Sequence, residues 1–65
     1  MTTIAMWRLW EYATVIQSEP GLPDHVRQEL LHGVKIAGRI MLQNIQPTHL
    51  EAGKAILGEL EKLKP

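Results

Sequence analysis

The sequence predicts an all-α fold: a three-helix arrangement with a long central helix, assembled as a homodimer. Three observations carry this expectation. Apolar residues recur every three or four positions through three stretches, about 4–18, 23–45 and 49–63. Two short turns separate them, one containing Pro20, Gly21 and Pro23 and the other Pro47. The middle stretch carries apolar side chains around more than half its circumference, too many for one neighbouring helix to cover. All 65 residues are expected to form a single helical domain.

Size argues for assembly. A chain of 65 residues buries only about 60% of the surface its unfolded form exposes. With no cysteine, disulfides and thiolate metal sites are excluded, which leaves oligomerisation as the accessible source of extra stability. Seven Lys and Arg balance seven Asp and Glu, so net charge offers no strong attraction to nucleic acid or to an anionic membrane. No apolar run approaches the roughly 20 residues a bilayer requires. Arg8 and Glu11 interrupt what would be the apolar region of a signal peptide. The expectation is a soluble, cytoplasmic protein with no membrane partner.

In the first helix, Thr2 or Thr3 is placed to act as N-cap. At 100° per residue Ala5, Leu9, Tyr12, Ala13 and Ile16 form a core-facing stripe, with Met6 and Trp10 at its margin. Ile4, Trp7 and Val15 fall outside it, among Arg8, Glu11, Thr14 and Ser18, and make a second apolar patch. The prolines of Ser18–Pro23 stop this helix, and Gly21 is free to take positive φ there.

Pro23 suits the first position of the second helix, where Asp24 complements the positive end of the dipole. Val26, Leu30, Val34, Ala37, Met41 and Ile45 form its main seam, flanked by Leu31, Gly38 and Leu42. Ile36 and Ile40, beside Gly33, interrupt the opposite polar side. A helical Gly costs about 1 kcal/mol relative to Ala, so Gly33 and Gly38 ask for a packing reason, and close helix approach is the expected one. Thr48-His49-Leu50-Glu51 reads as a capping box opening the third helix. That helix places Leu50, Ile56, Leu57, Leu60 and Leu63 on one face.

No constellation predicts a catalytic, cofactor, metal or small-molecule site. His25, Glu29 and His32 share one helical face, and Glu29-x-x-His32 has the spacing of di-iron carboxylate bundles. That face points away from the core, and the other helices offer no carboxylates at matching depth, so a solvated stripe is the reading. His49 reads as a solvated first-turn residue, and Ser18 has no His or acid placed to activate it. A helix-turn-helix DNA-binding regulator is the alternative function. Against it, the third helix mixes Glu51, Glu59 and Glu61 with Lys54, Lys62 and Lys64, and carboxylates repel phosphates.

Two surfaces are left over: Ile4, Trp7, Arg8, Glu11 and Val15 on the first helix, and Gly33, Ile36 and Ile40 on the second, with Trp7 fitting equally as core folded over the end of the third helix. They are the expected protein interface, one for a second copy and one for a larger protein. The Met1-Thr2-Thr3 opening, Arg8 and Trp10, the Pro23 to Arg27 segment and Pro47-Thr48 resemble short all-helical accessory proteins of bacteria and their temperate phages. The chain lacks the basic face of the DNA-binding members. The resemblance implies a small inhibitor or anti-activator that binds a host regulator. It carries no site residue with it. The expected function is thus a non-enzymatic protein-protein interaction module.

Overall fold

Three prolines set the boundaries. The computed structural model describes residues 2–64, and Met1, part of the opening compared above with accessory proteins, lies outside them. Thr3–Ser18 forms α1. Thr2 precedes it in extended conformation but makes no side-chain capping bond. Pro20 disfavours helix in the residue before it, and Glu19 is accordingly extended (φ −72°, ψ 112°). The turn closes with the Gly21 N–H donating to Glu19 Oε1 (3.1 Å), and no described glycine takes positive φ.

Asp24–Gln43 forms α2, at 20 residues the longest element. Pro23 is its N-cap and not its first helical residue, and its carbonyl accepts from the N–H groups of Val26 and Arg27 (3.1 and 3.0 Å). The helix stops before Ile45 because Pro47 requires an extended Gln46 (φ −63°, ψ 140°). Asn44 closes the end, its N–H donating to the Met41 carbonyl (3.0 Å) and its side-chain amide to that of Ile40 (2.9 Å).

Pro47–His49 forms a single 3-10 turn and Leu50–Glu61 forms α3. The expected capping box is absent: neither Gln46 nor His49, the residues at the two cap positions, makes a side-chain capping bond. A cap needs an extended backbone, and Thr48 is wound into the 3-10 turn that Pro47 nucleates. The His49 N–H instead donates to the Gln46 carbonyl (2.8 Å).

The helices run alternately up, down and up, and each packs against both of the others. None is sandwiched. The Cα atoms occupy a rod of 39 × 16 × 15 Å. Met6, Ala13, Leu31, Ile56 and Leu60 are buried along its axis, with Leu9, Trp10, Ile16, Val34, Leu57 and Leu63 packed around Ala13, Leu31 and Leu60. Each large side chain of that set contributes about 1.5–3 kcal/mol by leaving water.

The seams of α1 and α2 are rotated from those periodicity alone predicts. In α1 the buried line is Met6 and Ala13, while Tyr12 is 61% exposed. In α2 it is Arg27, Leu31 and Gly38, and Leu30 is exposed. In α3 the expected face holds, with Ile56 and Leu60 buried beside Gly53, and only Leu50 is exposed. Two glycines mark the line of contact between α2 and α3. A Cβ on Gly38 would lie 2.9 Å from Leu60 Cδ1 and 3.2 Å from Leu57 Cδ1, and one on Gly53 would lie 2.7 Å from Ile45 Cδ1 and 2.9 Å from Leu42 Cδ1. These glycines let α2 and α3 close on each other. Gly33, expected to serve close approach with Gly38, has nothing within 4 Å of its would-be Cβ.

One end of the rod is tied by side chains that reach main-chain oxygens. Arg27 is only 8% exposed. Its Nη1 donates to the carbonyls of Ile16 and Gln17, and its Nη2 to those of Glu19 and Leu22 (2.6 and 3.0 Å). The last carbonyls of a helix lack intrahelical partners and sit at its negative pole, so a guanidinium there satisfies both needs of α1. At the end of α3, Lys35 Nζ donates to the Leu63 carbonyl (2.7 Å) and Gln17 Nε2 to that of Lys64 (2.7 Å).

Candidate functional site

With the core assigned, the outward sides of α1 and α2 keep exposed apolar residues among their polar ones. Helical geometry places Ile4, Trp7, Arg8, Glu11 and Val15 within one broad face of α1, and all five are exposed, Ile4 at 63% and Val15 at 61%. Tyr12, expected in the core, joins this face. Trp7 stands edge-on to Trp10, with ring centroids 5.8 Å apart and an interplanar angle of 88°. That arrangement suits the aromatic quadrupole and fixes the orientation of the outer ring. Trp10 is partly buried, and its indole N–H finds no acceptor among the described residues.

Gly33, Ile36 and Ile40 likewise share the outward side of α2, Ile40 being 54% exposed. Leu30 extends this face toward α1, a consequence of the rotated seam. At Gly33 nothing lies within 4 Å of the place a Cβ would take.

The charges of the α1 face differ from those of α3. Arg39 pairs with Glu61 (Nε to Oε1 2.9 Å), Lys54 with Glu51 (3.6 Å) and Lys62 with Glu59 (3.2 Å). All the glutamates of α3 are therefore matched by cations on its surface or on α2. Arg8 and Glu11 form no ion pair or side-chain hydrogen bond among the described residues. They stand at the centre of the α1 face with apolar residues at both ends.

The remaining polar residues are dispersed. His25, Glu29 and His32 are exposed along α2, and no group of three His, Cys, Asp or Glu side chains is disposed to hold a metal ion among the described residues. His49, the last residue of the 3-10 turn, is half-buried, where a solvated position was expected. The Ser18 hydroxyl donates to the Thr14 carbonyl (2.9 Å). No cavity is present among the described residues, and no helix is long and apolar enough to cross a membrane.

Sequence periodicity singled out the eight residues of the two faces but missed Tyr12 and Leu30. It also missed Arg27 as a buried clamp. The available signal for Arg27 was its place one turn into a helix that directly follows a proline turn. Comparison of the chain with models of known protein families gives no match, and neither do searches of curated proteins and of solved structures.

Proposed function

We propose that this protein is a non-enzymatic interaction module that self-associates through one of its two apolar faces and presents the other to a larger protein. By occupying that surface it acts as an inhibitor or anti-activator of a regulatory protein, as the resemblance to small accessory proteins implies. The observation that carries this reading is the exposure of Ile4, Trp7, Tyr12 and Val15 on α1 and of Leu30, Ile36 and Ile40 on α2. Exposed large apolar side chains clustered on one helix face of a small chain suit an association surface, and Trp, Tyr and Arg are the residue types that dominate interface energetics.

The alternative reading as a helix-turn-helix regulator gains little. The lysines on and just past α3 that would meet phosphates are Lys54, Lys62 and Lys64, and the first two already pair with glutamates.

Affinity capture from bacterial lysate separates the readings. Wild-type bait is expected to retain a defined protein that an Ile36→Asp, Ile40→Asp bait does not. Retention of DNA that weakens steeply with salt, with no difference between the two baits, would favour the DNA-binding reading.

A further inference from the structure

The six outward residues of α1 form a face that is complementary to itself. Ile4, Arg8, Glu11 and Val15 follow steps of four, three and four, the spacing of the contact positions of a coiled-coil seam. When two such helices pack antiparallel about a two-fold axis, each residue meets the position equally far from the axis on the other side. An axis between Leu9 and Trp10 therefore brings Ile4 opposite Val15 and Arg8 opposite Glu11. Apolar meets apolar at both ends, and cation meets anion in the two central layers. Trp7 and Tyr12 are equally distant from the same axis and lie on opposite flanks of the seam. There they cover the charges from either side, an arrangement favourable to a cation near aromatic faces.

We infer that the protein forms a two-fold symmetric dimer through antiparallel pairing of α1, with Arg8 bonded to Glu11 of the partner subunit. This rests on the self-association proposed above and assigns it to one face. Three facts select a second copy as the occupant. Arg8 and Glu11 are exposed and without side-chain partners among the described residues, whereas Arg39, Lys54 and Lys62 each pair with a glutamate. The face carries one charge of each sign at symmetry-related positions. Trp7 is already oriented by its contact with Trp10, so less side-chain freedom is lost on docking.

The α2 face does not show this property. Glu29, Gly33, Ile36 and Ile40 share that face with no Lys or Arg among them, so a second copy offers no cation to answer the Glu29 carboxylate. That face is left for the larger target. The α1 seam is only four layers long, from Ile4 to Val15, so the dimer is a weak, concentration-dependent one.

Charge reversal tests the pairing. Sedimentation velocity over micromolar to millimolar protein is run on the wild type, on Arg8→Glu, on Glu11→Arg, on an equimolar mixture of the two variants, and on Ile40→Asp. Circular dichroism checks that helicity is unchanged. Each single reversal places like charges in both central layers and is expected to weaken the dimer on the order of a hundredfold. Mixing the two variants restores opposite charges in every central layer and is expected to restore a dimer. Ile40→Asp is expected to dimerise as the wild type does.

A wild type that stays monomeric throughout overturns self-association itself. A wild-type dimer untouched by either reversal leaves self-association standing and overturns the α1 seam. Monomeric variants that do not recover on mixing overturn the antiparallel pairing of Arg8 with Glu11 of the partner subunit. Loss of the dimer in Ile40→Asp moves the interface to α2.

Discussion

The guanidinium of Arg39 on α2 meets the carboxylate of Glu61 on α3 fork to fork, with Nε 2.9 Å from Oε1 and Nη2 3.1 Å from Oε2. Bidentate pairing fixes both planes and fastens the last turn of α3 to the C-terminal half of α2. The hydrogen bonds from Arg39 hold the Glu61 carboxyl below the usual carboxylate range, with desolvation opposing and the charges of Arg39 and Lys35 assisting. Arg39 is raised correspondingly, chiefly by the same hydrogen bonds.

A carboxyl whose folded-state pKa is depressed contributes stability that is present above its unfolded value and lost as pH falls through the folded one. Acidification below the usual carboxylate range is therefore expected to lower the melting temperature of the wild type more than that of Glu61→Gln. The gap between them should narrow in parallel. Because the pair is exposed, the effect is small and shrinks further in salt. Thermal melts at matched ionic strength across that acidic range read it directly.

The buried guanidinium of Arg27 is expected to matter more. Arg27→Met removes four donors' worth of contacts to carbonyls that lie where α1 ends and α2 begins. Hydrogen bonds to charged groups contribute more than neutral ones, and the expected loss is about 2–3 kcal/mol in urea denaturation. Arg27→Lys should recover only part of it, since an ammonium cannot reproduce the planar fork.

Glycine substitutions should divide by position. Gly33→Ala and Gly58→Ala add a methyl group where nothing lies within 4 Å, and each is expected to stabilise by about 0.4–1 kcal/mol through helix propensity and a less flexible unfolded chain. Gly38→Ala and Gly53→Ala press a methyl against Leu60 and Leu57, or Ile45 and Leu42. Overpacking costs about 1–3 kcal/mol, which outweighs the propensity gain, so both are expected to destabilise. A single series of denaturation curves compares all four.

Dilution should be visible in tryptophan fluorescence. Trp7 flanks the inferred α1 seam while Trp10 lies partly buried beneath it. As the dimer dissociates, emission is expected to shift to longer wavelength because Trp7 returns to water. Trp7→Phe should abolish that shift while leaving the emission of Trp10. A shift that persists in Trp7→Phe would locate the change elsewhere.

The helical class and the two turns were legible because proline acts locally: Pro20, Pro23 and Pro47 restrict themselves and the residue before them whatever the tertiary context. The facing of the helices was less legible. Periodicity weights apolar side chains and gives glycine none, yet Gly38 and Gly53 mark the line along which α2 and α3 touch. Tyr12 and Leu30 were placed in the core from which the rotated seams exclude them. Thr48-x-x-Glu51 satisfied the pattern of a capping box but not its backbone requirement, which the Pro47 turn decides. Arg27 looked like any first-turn cation. Only the folded path of residues 16–22 shows that their carbonyls converge on it.

That convergence bears on how the sequence can drift. All four acceptors of Arg27 are main-chain oxygens, belonging to Ile16, Gln17, Glu19 and Leu22, and every residue type supplies one. The joint between α1 and α2 thus depends on a single side chain and on the path of the backbone, and not on the identities of the residues it grips. Substitutions through residues 16–22 that keep that path can alter the surface of this end of the rod while the joint stays intact.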